Sequence, residues 1–224
     1  MALKILSAGS MLHGLRECIA VALADFGVIE VATNHGHHIH DAVMRGTATA
    51  DVVLLPAGLA AALQHAGHVC NSVALGTVGI GGAVRIGSPV PPIDTMANLK
   101  TAILAADAVL LTRAPTGDHL ITVVAELGLT ETVAPKLLRF DTSSQLNNHL
   151  AARLDKALGF GPETEIRAGR GVTWIGDVPQ EIQIALPYVA ATLTQTKAPD
   201  LAGAFLEFLA TERARRIFHH SGVR

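Results

Sequence analysis

The chain has 224 residues, of which 50% are hydrophobic, 16% charged and 4% aromatic, with a formal net charge of −2. That length can bury one substantial core or two of about 100 residues each. The balanced charge, with no polybasic run, excludes nucleic acid or an anionic membrane as an electrostatic partner, and no apolar run approaches the roughly 20 residues needed for direct membrane insertion.

From the N-terminus, Lys4 to Leu6 reads as a strand entered at once, without a secretory leader. The expected location is therefore cytoplasmic if Met1 is the native start and periplasmic if a leader has been removed. Leu12, Leu15, Ile19 and Phe26 then mark one face of a helix that Gly27 stops. Val28 to Thr33 reads as a second strand, His37 to Arg45 as a short helix ending at Gly46, Asp51 to Leu55 as a third strand and Gly58 to Ala66 as its helix. Three βα units in a row predict a parallel sheet with helical crossovers.

Residues 73–87, "VALGTVGIGGAVRIG", carry five glycines in a long β-like stretch, which suits a chain crossing between lobes. A second βα series follows: helix 95–106, strand Ala108 to Thr112, helix Gly117 to Leu127, strand Lys136 to Phe140 and helix Ser144 to Leu158. Val172 to Ile175 and Tyr188 to Leu193 read as strands, and Leu201, Phe205, Phe208, Leu209 and Ile217 as one final amphipathic helix, docking most simply on the first lobe. Cys18 and Cys70 follow no metal or redox spacing and are expected to be reduced and buried.

Ligands of open parallel sheets bind beyond the carboxyl ends of the strands, where helix N-termini present amide donors. Five strand-to-helix turns share small residues with a hydroxyl, amide or imidazole: Ser7 to Ser10, Thr33 to Gly36, Pro56 to Gly58, Thr112 to Asp118 and Asp141 to Ser144. Each can also be read as ordinary helix capping. His35, His37, His38 and His40 invite a metal reading, with His37 and Asp41 four residues apart, but no third or fourth ligand is evident. The cluster reads better as a polar first helical turn, with His35 the contact candidate; no bound metal is expected. No P-loop, dinucleotide fingerprint or G-x-S-x-G elbow is present, so no cofactor is expected.

The order of "KILSAGSMLHGL", "NHGHHIHDAVMRGTATADVVLLPAG", "LGTVGIGGAVRIGSPVPPIDTMANLKTAIL" and "APDLAGAFLEFLATERARRIFHHSGV" resembles the molybdate-binding-protein-like branch of the bacterial solute-binding proteins, over nearly the whole chain. The resemblance implies the two-lobed α/β type II periplasmic-binding-protein fold. Each lobe is then a mostly parallel sheet flanked by helices, lobe I being 1–80 plus 190–224 and lobe II 81–189. Two hinge strands near 78–86 and 185–193 join them. It further implies that a small anionic ligand is held by closure of the lobes, with an ABC-transporter membrane component as a possible partner. By position, Gly9, Ser10, Met11, Ala57 and Gly58 match first-lobe contacts, joined by His35 and Gly36, while Thr116 and Gly117 match second-lobe contacts.

Three features depart from that pattern. Asp118 and His119 follow Thr116-Gly117, and a carboxylate facing an anion would repel it. Pro162 and Glu163 occupy a region of polar contacts, and Tyr188, the only tyrosine, falls in the expected second hinge. Relatives on this fold also include cytoplasmic enzymes acting on small carboxylic acids. The alternative is therefore an isomerase or lyase using His35, Asp118 or His119 as acid or base.

Overall fold

The computed structural model describes residues 2–224; Met1, on which the choice of start depends, lies outside the described residues. In chain order the elements begin β1 (Leu3–Ala8), α1 (Gly9–Phe26), β2 (Ile29–Asn34), α2 (Gly36–Met44), β3 (Val52–Pro56), α3 (Ala57–His65) and β4 (Val69–Val78). There follow β5 (Ile80–Arg85), α4 (Met96–Ala105), β6 (Ala108–Thr112), α5 (Pro115–Glu126), α6 (Thr130–Val133), β7 (Leu137–Phe140) and α7 (Ser143–Ala152). The chain closes with β8 (Ala157–Pro162), α8 (Glu163–Arg167), β9 (Val172–Asp177), β10 (Leu186–Leu193), α9 (Pro199–Leu209) and α10 (Glu212–His220). No helix among the described residues is long and apolar enough to cross a membrane.

The readings of the later helices and of Cys70 need correction. The helix expected over Ser144 to Leu158 ends at Ala152, and residues 157–162 form a strand. The Arg153 guanidinium bonds Asp155 across the turn, and Leu154, which continued the helical leucine spacing, is 89% exposed. The single C-terminal helix is two, because the Thr211 hydroxyl accepts from the Ala214 N–H and so caps a fresh helix. Cys18 is buried, but Cys70 is exposed.

The chain divides into two compact units. The first takes the residues up to Val78 and again Leu186–Arg224. Its sheet runs β2-β1-β3-β10-β4, with β1 parallel to β2 and β3, and β10 antiparallel to β3 and β4. Val52 to Leu55 are all buried, as expected of a central strand covered on both faces. Helices α2 and α3 pack together, whereas α1 packs with α9 and α10. The buried face of α1 is centred on Met11, Leu15, Cys18 and Ala22, with Gly14; of the expected stripe Leu15 is fully buried, while Ile19 and Phe26 pack at its margin. Small residues are needed there, because a Cβ on Gly14 would lie 2.5 Å from the Phe218 ring of α10. Phe205 and Phe218, fully buried in this core, each contribute about 2–3 kcal/mol of hydrophobic stabilisation.

The second unit, Gly79–Ala185, is one continuous stretch. Its sheet runs β7-β6-β8-β5-β9, with β6 parallel to β7 and β8 and with β5 antiparallel to β8 and β9. Its core gathers Ile80, Leu99, Leu111, Leu120, Leu158 and Phe160. Taken separately, the two sheets have the same plan: a parallel trio at one side, whose middle strand comes first in sequence, continued on the other side by two strands that each run antiparallel to a neighbour. The long glycine-rich stretch is not one strand: β4 belongs to the first sheet, β5 to the second, and Gly79 lies at the change.

Candidate functional site

In the first unit the chain leaves β1 for β2 on one side and later returns to β3 on the other, so the winding reverses between β1 and β3. A crevice opens beyond the carboxyl ends of two such strands, and ligands of doubly wound sheets bind there. The turn after β1 starts α1 from Ala8, a residue with no side-chain cap to offer, and the first turn of α1 holds no acidic residue. The amides of Gly9, Ser10 and Met11 therefore open the helix with its positive end uncompensated by any side chain of its own.

Ser10 is the second residue of α1, not its cap, and is 4% exposed. The Tyr188 hydroxyl donates to Ser10 Oγ at 3.3 Å. Tyr188 stands opposite Pro56 in the β10–β3 pairing, so its ring reaches from the neighbouring strand to the β1–α1 turn. Tyr188 lies in β10, which pairs with β3 and β4 in the sheet of the first unit. Sequence reasoning placed this residue outside the site. The readable signal was a lone polar-tipped aromatic opening a buried strand.

The turns after β2 and β3 lie alongside. Ala8 and Asn34, the last residues of β1 and β2, are register partners. His35 precedes α2 in extended conformation; its N–H donates to Asn34 Oδ1 at 2.9 Å, and the same oxygen lies 3.1 Å from His38 Nδ1. Gly36 is held against the next turn, since a Cβ there would meet Pro56 Cδ at 2.7 Å. The imidazoles of His35, His37 and His38 cluster, with ring centres 4.2 to 5.7 Å apart. Burial, then the like charges of His38 and His35, hold the His37 imidazole below its usual pKa. His40 turns aside to Asp41, 3.1 Å from its carboxylate. Among the described residues no three His, Cys, Asp or Glu side chains converge as metal ligands. Pro56 opens α3 without a side-chain cap, and a Cβ on Gly58 would meet nothing within 4 Å, so this turn is open.

In the second unit the winding reverses between β6 and β8. Helix α5 starts from Ala114 with Pro115, which has no N–H, and the Gly117 N–H is bonded to the Ala114 carbonyl at 2.9 Å. Thr116, 1% exposed, shares a hydroxyl–hydroxyl bond of 3.4 Å with Thr112. Gly117 serves packing: a Cβ would fall 1.9 Å from the Thr112 carbonyl oxygen. Arg139 of β7 donates to Asp118 at 2.6 Å and to the Thr112 carbonyl at 2.9 Å, so the Asp118 charge is balanced. His119 Nε2 bonds the Ile182 carbonyl at 2.7 Å. The turn at Asp141 to Ser144 is a closed capping box, Thr142 with Gln145, and ordinary capping accounts for it. Beyond β8, Glu163 is 1% exposed and pairs at 2.6 Å with Arg167, whose guanidinium lies 4.0 Å over the Trp174 ring. Glu163 and Arg167 stand four residues apart, a legible helical pair that a helix ending at Leu158 concealed.

Residues 3–224 match the family model described as bacterial extracellular solute-binding protein. The chain belongs to that family. The solute-binding protein is also 28% identical, over 178 residues, to a protein named aconitate isomerase from Pseudomonas sp, an alignment covering 78% of this chain and 67% of the relative. Among solved structures, the periplasmic molybdate-binding protein of Azotobacter vinelandii superposes with a TM-score of 0.79 at 16% identity, covering 99% of this chain and 98% of the other. The sulfate-binding protein of Mycobacterium tuberculosis gives 0.72 at 17% identity, covering 100% and 86%. At such identities these likenesses establish the two-lobed α/β fold of molybdate-binding-like proteins, and nothing narrower.

Proposed function

We propose that this solute-binding protein takes up a small anion, an oxyanion or a small carboxylate, at its strand-to-helix turns. The ligand is then passed to the membrane component of an ABC transporter. Gly9, Ser10 and Met11 supply the central donors, Ala57 and Gly58 an open neighbouring turn, and His35 and Gly36 a third. In the second unit, taken by itself, the Thr116 N–H and hydroxyl at the start of α5, beside Gly117, are a separate candidate contact. The observation that carries this reading is the uncapped, acid-free start of α1 at the winding reversal, with Ser10 Oγ oriented by the Tyr188 hydroxyl. Desolvated donors fixed before the ligand arrives avoid the ordering cost of binding. Calorimetry against molybdate, sulfate, succinate and tricarballylate tests it: one of these binds, and Ser10→Ala weakens that binding at least tenfold. Unchanged affinity in Ser10→Ala would remove the α1 turn from the site.

A second reading, an isomerase of a small carboxylic acid, is favoured by one observation, the 28% identity to the relative named aconitate isomerase. Of its three acid/base candidates, Asp118 is paired with Arg139 and His119 with a backbone carbonyl, which leaves His35 as the group to test. Interconversion of cis- and trans-aconitate followed by ultraviolet absorbance, lost in His35→Asn, would establish it. No turnover in the wild type rejects it.

A further inference from the structure

We propose that His35, His37 and His38 form a second anion subsite beside the α1 turn, so that the ligand carries at least two negative groups and is a di- or tricarboxylate. This rests on the anion-binding reading above and specifies it. Three imidazoles brought within 4.2 to 5.7 Å of one another are an unusual expenditure of polar side chains for a surface turn. They stand at the N-terminus of α2, which no side chain caps, so that protonation adds positive charge to an end already positive.

One nearby carboxylate, Asp41 on the same helix, favours the charged form of His37, but less strongly than burial and the two neighbouring imidazoles oppose it. Helix α2 packs against α3, β1 and β3. Of these, α3 carries only His65, in its last turn, β1 only Lys4, near the opposite end of its strand, and β3 no ionisable residue. On α2 itself Asp41 is engaged by His40, and Arg45 lies beyond the helix end. Glu30 of β2 pairs across to Lys4, four residues before Asn34. Asp41, shared with His40, offsets only part of the charge, and the rest is left for a ligand to meet. Because Ala8 and Asn34 are register partners on adjacent strands, about 4.8 Å apart, one carboxylate on the α1 amides leaves a second within reach of the imidazoles. A tetrahedral oxyanion can occupy only one of the two. Protonated imidazoles are what give the subsite its charge, and in the ligand-free protein burial and the neighbouring imidazoles oppose that protonation at His37.

The test uses the whole protein and tricarballylate, a saturated tricarboxylate that cannot be isomerised, with sulfate as the compact comparison. Calorimetry at pH 6.0 and 8.0 compares wild type, His37→Asn/His38→Asn and the triple variant that adds His35→Asn, each checked for native circular dichroism. The ligand's own titration is common to all proteins and cancels. The expected result is that wild type binds tricarballylate at least tenfold more tightly at pH 6.0 than the triple variant does, with the double variant between them and the gap narrowing at pH 8.0. Sulfate affinity should change less than twofold. Tricarballylate binding that is sensitive to Ser10→Ala but equal in wild type and triple variant overturns this inference alone. Wild type that binds neither ion overturns the anion-binding reading with it.

Discussion

Alanine in place of Gly117 and of Gly58 should act in opposite directions, although both residues sit in the first turn of a helix. Propensity alone predicts that each gains about 0.5–1 kcal/mol, since glycine gives up more backbone freedom on folding. At Gly58 nothing lies within 4 Å of a new Cβ, so the gain should be realised. At Gly117 the Cβ would fall 1.9 Å from the Thr112 carbonyl oxygen, more than 1 Å inside normal contact. The obstacle is backbone at the end of the fully buried β6, and the same oxygen accepts the 2.9 Å bond from Arg139. The α5 turn must shift by about 1 Å, which strains the Thr112–Thr116 contact and the Arg139 fork at a cost of about 3 kcal/mol or more. Urea unfolding measures both. Trp174, the only tryptophan, lies in β9 and reports the second unit by fluorescence, while far-ultraviolet circular dichroism reports the whole chain. Stability of Gly117→Ala within 0.5 kcal/mol of wild type would refute the packing argument, as would a destabilised Gly58→Ala.

Lys136 donates to the carbonyls of Ile103, Leu104 and Ala106 at 2.8, 3.0 and 2.7 Å and so closes the end of α4; Lys136→Met should cost about 2 kcal/mol in the same unfolding assay. Tyr188→Phe keeps the buried ring but removes the donor to Ser10, and should lower stability by about 1 kcal/mol while weakening anion binding in calorimetry. Burial, with the Glu17 charge second, pushes the Cys18 thiol up to about 12. An aromatic disulfide reagent at pH 8 should therefore modify only Cys70 in the native protein and both thiols after unfolding. Above about pH 9 the unfolded chain gains a thiolate that folded Cys18 does not, so stability should fall from there toward pH 12. His37 has the opposite sign: its lowered pKa favours the neutral form in the fold, so the ligand-free protein should lose melting temperature as pH drops through 6.5, and His37→Asn should lose less.

The alternation of strand and helix through His65 was legible because each helix there ends on a glycine or follows a short apolar strand. Gly27 and Gly46 take positive φ where the pattern stops, a conformation that glycine adopts readily at a helix end. Beyond Ser144 the same logic misled. Leu146, Leu150, Leu154 and Leu158 recur every four residues, yet only the first two share a helix face and Leu158 lies in β8. The centre of the buried face of α1 was displaced for a different reason. Its small-residue stripe is set by Phe218, about 200 residues away in sequence, and no periodicity within α1 can show that. Within the candidate site, the small-residue turns were readable. Whether a turn is closed by its own side chain, as at Thr142, or left open, as at Ala8 and Pro56, depends on which residue takes the cap position, and that shifts by one or two places. Tyr188 was obscured because pairing across strands, not spacing along one, delivers it to Ser10.

Strand β10 lies between β3 and β4, although about 110 residues, including the whole second unit, separate it from β4 in sequence. On a ribosome the second unit therefore emerges complete and can fold while the first still has a gap in the middle of its sheet. Until Leu186–Leu193 arrives, β3 and β4 each carry an unpaired edge, the state in which a nascent sheet is open to wrong partners. Tyr188 comes with that strand, and the backbone of Arg224 later bonds Thr77 on β4, so the first unit is sealed from its late end. On the proposed reading of the α1 turn, ligand competence is then a late event in the life of each molecule. On that reading an anion meeting the nascent chain at the α1 turn would do so without Tyr188, and the full affinity would appear only when the sheet has closed.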